Sequence, residues 1–156
     1  MPEITTKNVG AGGFWKVIDE HPDPSVVKQL TPHSCVAAVG EMLFSSRGIS
    51  MSQQEIIDII GELSTPEHLA KALNEIDSVR WYGGFIDPDD PAALDDRYEF
   101  AVVFRDGQSL GHMVFVTHFG EALVYVMDPW EGTSYKMART EFSNVWDGGV
   151  VIIWNS

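Results

Sequence analysis

The chain has 156 residues, 44% of them hydrophobic, and a formal net charge of −13 at neutral pH. This size and composition predict one globular domain with a single core. The acidic excess, without any basic cluster, argues against nucleic acid as a direct ligand. No apolar run approaches the ~20 residues that span a bilayer, and the first residues lack a signal-peptide pattern, so we expect a soluble, cytoplasmic protein without membrane contact.

The first 28 residues combine several glycines with a turn-forming stretch that contains Pro22 and Pro24. Only residues 14–18 form an apolar patch. Such a turn-rich segment predicts an irregular lead-in with one short strand. We therefore expect a single structured domain at residues 29–156, preceded by an irregular lead-in at residues 1–28.

Three helices are predicted next along the chain. Apolar residues recur at helical spacing from Cys35 to a stop at Gly48. Ser52 and Glu55 form a capping box for the second helix, and Thr65 caps the third, which has a proline in its first turn. The apolar residues that we expect to be buried on the second and third helices are Ile56, Ile59, Ile60, Leu63, Leu69, Leu73 and Ile76.

After residue 77 the turn signals become those of strands, apart from an acidic segment at 86–96 that favours a solvated loop. The predicted strands are 79–82, 100–104, 112–119, 123–127, 134–137 and 150–154. Turns are predicted at 106–107, 120–121, 131–132 and 148–149. Short connections between neighbouring strands imply antiparallel pairing. Helices followed by strands predict an α+β domain, with an N-terminal helical layer packed on a C-terminal antiparallel sheet.

Cys35 is the single cysteine of the chain and is expected at the start of the first helix. Taken alone, a lone cysteine is more often a small buried hydrophobe than a reactive group. A helix N-terminus, however, favours the thiolate form, and the thiolate is the nucleophile. The backbone N–H of Cys35 can also stabilise an oxyanion, and the side-chain amide of Gln29 is a candidate for the second donor that such a site needs. We therefore treat Cys35 as a candidate nucleophile.

His112 opens one predicted strand and Asp128 ends the next. If these strands form a hairpin around Gly120, both residues lie at its open end. An aspartate that accepts from one imidazole nitrogen leaves the other nitrogen for the cysteine sulfur, as in hydrolases with a Cys-His-Asp or Cys-His-Asn set. The main rival for the general base is His33, which is close to Cys35 in sequence but has no comparable aspartate. The remaining histidines, without such a partner, are His21, His68 and His118.

The chain contains five recognisable motifs: Gln29-x5-Cys35, the small and apolar helix that runs to Gly48, His112-Met-Val-Phe-Val, Asp128-Pro129-Trp130-Glu131-Gly132 and Glu141-Phe142-x3-Trp146-x-Gly148-Gly149. Over roughly residues 29–154 these motifs resemble those of the papain-like double-glycine peptidases that process bacteriocin leaders. Val36 stands where those peptidases commonly have a glycine.

The resemblance implies a papain-like fold and a cysteine peptidase that cleaves after small residues, for example Gly-Gly. By this resemblance Cys35 matches the nucleophile, His112 the general base, Asp128 the orienting carboxylate and Gln29 the oxyanion donor. The implied substrate is a protein or peptide, and the chemistry needs no metal or cofactor.

A biological setting follows from what is not recognisable in the sequence, namely a transporter, regulatory or propeptide segment. A domain of this kind also resembles toxin modules that bacteria deliver into competing cells as part of a larger effector, where an immunity protein covers the cleft. Two other interpretations stay open. The same triad performs acyl transfer or glutamine deamidation, and a catalytically inactive domain of this fold can serve as a binding module.

Overall fold

A computed structural model describes residues 4–9, 13–91, 94, 97–105 and 111–154 of the chain. Within these residues the chain forms eight strands and four helices. In chain order they are β1 (Ile4–Val9), β2 (Gly13–Pro22), α1 (Cys35–Ser46), α2 (Gln53–Ile60), α3 (Pro66–Ile76), β3 (Trp81–Phe85), β4 (Phe100–Phe104), β5 (His112–Phe119), β6 (Leu123–Asp128), β7 (Thr133–Ala138), α4 (Arg139–Val145) and β8 (Trp146–Ile153). None of the helices in these ranges is long and apolar enough to cross a membrane.

The strands form one sheet in the order β1-β2-β7-β6-β5-β4-β8-β3, and each pair of neighbours is antiparallel. The helices α1, α2 and α3 precede most of the sheet in the chain and pack together on one of its faces. This arrangement confirms the predicted α+β class and the helical layer on an antiparallel sheet. The sheet is not wholly C-terminal, however, because β1 and β2 form one of its ends.

The central strands are buried on both faces. Alternate side chains of β4, such as Ala101 and Val103, contact the helical layer, while Val102 and Phe104 contribute to a second apolar cluster on the opposite face. Residues of β2, β7 and α4 complete that second cluster. Burial on both faces explains why β4 is a continuous apolar run instead of an alternating one.

The expectation of an irregular lead-in at residues 1–28 with one short strand at 14–18 is wrong. Residues 4–9 and 13–22 form a hairpin, and β2 pairs with β7. Two hydrogen bonds between side chains connect β7 to this segment, from Thr133 to Glu20 on β2 and from Ser134 to Asp23 just after β2, each at 2.6 Å. The strand was not predicted because this segment contains polar residues and prolines. Buried and exposed residues alternate in β2 around Trp15, and the strand lies near one edge of the sheet. The division at residue 29 stays a prediction.

The helix starts were predicted correctly, but the buried faces only in part. Ser52 and Glu55 form the predicted capping box, and Thr65 caps α3. Ile59, Leu63 and Ile76 are exposed, contrary to expectation. Leu63 lies beyond the end of α2, which stops at Ile60, and Ile76 is the last residue of α3. The close approach of the helices occurs at Gly40 on α1, where an added Cβ would lie 2.9 Å from Leu69 and 3.2 Å from Ile56.

The strands near the C-terminus differ from the prediction at their ends. β8 begins at Trp146 and runs through Gly148 and Gly149, where a turn was expected. α4 was not predicted, although Phe142 and Val145 have the i, i+3 spacing of a buried helical face. β3 begins at Trp81, two residues later than predicted. The predicted turn at 106–107 lies outside the described residues, as does part of the acidic segment 86–96.

We expect Gly83→Ala to lower the free energy of unfolding by about 2 kcal/mol, as overpacking of a tight contact does. The cause is that a Cβ on Gly83 would lie 2.2 Å from the Pro66 carbonyl oxygen and 2.6 Å from the Ala70 Cβ, both on α3. Gly84→Ala is the matched control, because its Cβ would mainly meet the movable Tyr82 hydroxyl. Urea unfolding measures both, and equal stabilities of the two variants would contradict the expectation.

Candidate active site

Cys35 is the first residue of α1, at the end where backbone N–H groups have no partner within the helix. A tight turn leads into this position, in which the Ser34 N–H donates to the Thr31 carbonyl oxygen at 3.3 Å. The buried Ser34 hydroxyl donates to Gln53 Oε1 on α2 at 2.8 Å, and the Leu30 N–H donates to the same oxygen. Gln53 therefore fixes the segment that places the thiol, a role that the sequence analysis did not identify.

The Cys35 sulfur is partly buried and lies against the start of β5. Burial by itself raises the pKa of the thiol. Hydrogen bonds from the His112 side chain and the Met113 backbone N–H, together with the charge of the imidazole ring, outweigh it and lower the pKa below the usual value of a cysteine. The thiolate form is therefore favoured, as a nucleophilic cysteine requires.

His112 and Asp128 form a buried pair. The Nε2 atom of His112 lies 2.8 Å from Oδ1 of Asp128, and the two residues are 5% and 0% exposed. Burial alone would lower the pKa of His112, but the Asp128 charge and hydrogen bond, with the hydrogen bond to Cys35, raise it to about 10. Because Nε2 bonds the carboxylate, Nδ1 is the nitrogen left for the sulfur.

The pair meets because of the register between β5 and β6. The two strands form the predicted hairpin around Gly120, but Phe115 faces Met127 and a bulge lies between residues 116 and 118. Continued to Asp128, this register places it diagonal to His112 on the same face of the sheet. Diagonal neighbours in a sheet are within reach of each other for long side chains. The structure confirms that both residues lie at the open end of this hairpin.

Further polar contacts hold the carboxylate of Asp128. The Trp130 backbone N–H donates to Oδ1 at 2.9 Å, and the Tyr135 hydroxyl donates to Oδ2 at 2.8 Å. The Trp15 indole N–H donates to the Tyr135 oxygen at 3.1 Å. The ring of Trp15 stacks on the ring of His112, with centroids 6.1 Å apart. Trp15 and Tyr135 were not predicted as site residues, because alternating aromatic residues on a strand indicate a core and not a chain of hydrogen bonds.

Gln29 lies beside the corner that follows Asp128, because its backbone N–H donates to the Pro129 carbonyl at 2.8 Å. Its side-chain nitrogen donates to the Thr31 carbonyl, also at 2.8 Å, and this bond identifies which end of the amide is the nitrogen. The second hydrogen of that nitrogen is available to another acceptor. The role of Gln29 as oxyanion donor stays a prediction.

The other histidines lie elsewhere in the fold. His33 is exposed in the turn before α1, and His68 is exposed near the start of α3. The ring of His118 packs edge-on against Tyr125 near the turn end of the hairpin. His21 contacts the Asp19 carbonyl oxygen in β2. The structure thus brings His112, and not the rival His33, together with an aspartate.

The arrangement combines a low-pKa thiol, a basic imidazole and a fixed carboxylate in one place. Such a set can attack an electrophilic carbonyl and move a proton to a leaving group. In the part of the chain that the structure describes, no group of three or more His, Cys, Asp or Glu side chains is placed to hold a metal ion.

The fold resembles solved peptidase domains. The chain superimposes on the peptidase domain of Streptococcus ComA, a bi-functional ABC transporter, with a TM-score of 0.69 and 18% identity over 83% of this chain and 97% of that domain. It superimposes equally well, with a TM-score of 0.69 and 19% identity over 99% and 100% of the two chains, on a double glycine motif protease from an AMS/PCAT transporter in complex with the leader peptide. The fold is that of the double-glycine peptidases. The structure therefore confirms the expected papain-like architecture.

A curated protein is more similar in sequence. The chain is 39% identical over 142 residues to cysteine protease effector 1 of Escherichia coli O1:K1:H7. The alignment covers 89% of this chain but 29% of the relative, so the chain spans less than a third of that protein's length. No family model matches the chain.

We expect His112→Ala to slow alkylation of Cys35 by iodoacetamide at pH 6 by more than tenfold. The reason is that an increase of about one unit in the thiol pKa lowers the reactive thiolate fraction about tenfold. The variant removes the hydrogen bond and charge that lower the thiol pKa, while burial continues to raise it. In the unaltered protein the rate should fall little between pH 8 and pH 6, whereas an ordinary thiol loses about tenfold per pH unit below its pKa of ~8.5.

His118→Ala is the matched control for this experiment, because it removes a histidine from the same strand at the far end of the hairpin. Its alkylation rate should equal that of the unaltered protein. Equal rates at pH 6 for His112→Ala and His118→Ala would show that His112 does not activate the thiol.

Proposed function

We propose that the chain is a cysteine peptidase that hydrolyses peptide bonds through Cys35, His112 and Asp128. The observation that carries the proposal is the buried His112–Asp128 pair next to a thiol whose pKa is lowered at a helix start. The similarity to a cysteine protease effector and to peptidase domains supports the same assignment.

In the proposed first half-reaction, the Cys35 thiolate attacks the carbonyl carbon of the scissile peptide. The oxyanion receives hydrogen bonds from the Cys35 backbone N–H and the Gln29 side-chain amide. The His112 imidazolium then gives its proton to the leaving amine, the C–N bond breaks, and a thioester to Cys35 remains. Asp128 holds the imidazole ring so that Nδ1 faces the sulfur, and its carboxylate stabilises the positive charge of the ring.

In the second half-reaction, neutral His112 takes a proton from a water molecule that attacks the thioester carbonyl. The C–S bond breaks, the acyl group leaves as a carboxylic acid, and the thiolate–imidazolium pair forms again. Each proton that His112 accepts is returned within the cycle, so no metal or cofactor is required for this chemistry.

For the substrate we propose a protein or peptide cut after small residues such as Gly-Gly. The support is the resemblance to double-glycine peptidases, one of which is bound to a leader peptide in its solved structure. The curated relative is named a cysteine protease effector, and for this chain we propose the setting of an effector that is delivered into another bacterium. In that setting we also propose that an immunity protein covers the cleft, and that the chain acts in the cytoplasm of the target cell.

Cys35→Ala should abolish cleavage of a Gly-Gly-containing test protein, since no other side chain of the chain supplies a thiol. Asp128→Asn should reduce kcat by roughly 10²–10⁴-fold, because the amide no longer stabilises the imidazolium. New N-termini, identified by mass spectrometry after incubation with protein extracts, measure the activity. Thermal unfolding of both variants is the control for folding. Full cleavage by Cys35→Ala would contradict the proposed function.

The same experiment separates the other functions that this triad supports. A glutamine deamidase adds about one dalton to its target and an acyltransferase leaves an adduct, both without a chain break, since all three reactions share a thioester. An inactive binding module produces no product of any kind and alkylates slowly at pH 6. Any of these three results would contradict the peptidase assignment.

Expression in the cytoplasm of a bacterium should lower colony counts in a Cys35-dependent way, because an effector peptidase acts on proteins of the recipient. The measurement compares induced unaltered protein with induced Cys35→Ala at equal protein levels. Normal growth with a protein that cleaves in the test tube would contradict the proposed setting while leaving the peptidase activity in place.

A further inference from the structure

The side chain of Tyr135 is buried between the candidate catalytic aspartate and the N-terminal hairpin. Tyr135 is 3% exposed and Trp15 is 1% exposed, and both lie in the apolar cluster on the face of the sheet that carries α4. A hydroxyl in such surroundings needs partners, because an unpaired buried polar group is costly. Its partners include the carboxylate of Asp128 and the indole of Trp15.

The direction of these hydrogen bonds follows from their chemistry. An indole N–H can only donate, so Trp15 donates to the Tyr135 oxygen. An ionised carboxylate can only accept, so the Tyr135 hydroxyl hydrogen points to Asp128 Oδ2. Burial and the nearby Asp128 charge raise the pKa of Tyr135 well above its usual value, so the phenol keeps its proton and remains a donor.

Asp128 is thus held at both oxygens. Oδ1 receives His112 and the Trp130 N–H, while Oδ2 receives Tyr135. Trp15 on β2 stacks on the His112 ring and also donates to the Tyr135 hydroxyl oxygen. It therefore contacts both the imidazole and the tyrosine that holds Asp128. The candidate catalytic pair is therefore connected to the N-terminal hairpin.

We infer that Tyr135 is a positioning residue, which fixes the Asp128 carboxylate and thereby the charge that His112 presents to Cys35, with Trp15 orienting the tyrosine. This inference rests on the proposed function, because it concerns the same catalytic pair. The charged or titratable groups that face this cluster are Cys35 on α1, His112 on β5, Asp128 on β6 and Glu20 on β2.

Tyr135→Phe removes one hydrogen bond to the carboxylate and keeps the ring that fills the core. Without that donor the negative charge of Asp128 is less compensated, and this charge raises the pKa of the Cys35 thiol. Cys35 alkylation at pH 6 should slow by about tenfold, as expected from the loss of a hydrogen bond to a buried charge. Peptide hydrolysis should show the decrease in kcat, with KM unchanged, because Tyr135 does not contact the substrate.

A second measurement follows the proton of the His112–Asp128 pair. In a Cys35→Ala background, the pH at which the pair loses its proton, observed by NMR of the His112 ring, should rise by about one unit in Tyr135→Phe. A purely structural role of the tyrosine would alter thermal stability without moving this value.

Tyr125→Phe is the matched control, because it removes the same hydroxyl from a half-exposed tyrosine of the neighbouring strand β6. Its alkylation rate and His112 titration should equal those of the unaltered protein. Trp15→Phe keeps an aromatic ring at the position of Trp15 but lacks the N–H donor. It should change alkylation in the same direction as Tyr135→Phe, by about two- to threefold, a fraction of the effect of the direct bond, and it provides a test if Tyr135→Phe does not fold.

The outcomes are distinguishable. If Cys35 is alkylated rapidly at pH 6 in the unaltered protein and equally rapidly in Tyr135→Phe and Trp15→Phe, the positioning role is overturned and the proposed function stays intact. Slow alkylation of the unaltered protein itself would overturn the proposed function and the positioning role together.

Discussion

The hydrogen bond between His112 and Asp128 is the interaction on which the candidate site depends. Removing one partner of a buried charged pair typically costs about 3–5 kcal/mol, because the other charge is left buried without compensation. Here the carboxylate raises the pKa of the imidazole to about 10 despite burial. The imidazolium in turn helps to lower the pKa of the Cys35 thiol below its usual value.

The sheet supplies the rigid frame that this contact requires. His112 and Asp128 belong to neighbouring strands and approach diagonally, as the register beyond the bulge in β5 allows. Cys35 comes from the helical layer, and its position is fixed by a turn whose buried Ser34 donates a hydrogen bond to Gln53 on α2. Sites built on regular elements are held more precisely than sites on loops. The carboxylate is further held by Tyr135, which connects the pair to the N-terminal hairpin.

Local signals in the sequence predicted much of the fold. The capping box at Ser52 and Glu55 and the apolar run of β4 depend on residues near each other in the chain, and both are present. The N-terminal hairpin was missed because its inner strand, β2, is stabilised by pairing with β7, more than a hundred residues away. The exposed Ile59 could not be foreseen, because helical periodicity indicates an apolar face but not how far the neighbouring elements cover it.

The sequence by itself determined the chemical types at the site: one thiol at a helix start, and a histidine and an aspartate at the ends of consecutive strands. Only the tertiary structure decided which histidine meets the aspartate, and that Tyr135 and Trp15 complete the hydrogen-bond chain. The physical reason is that a hydrogen bond requires partners within about 3 Å. Trp15 and Tyr135 are 120 positions apart in the chain, so their contact exists only once the sheet has formed.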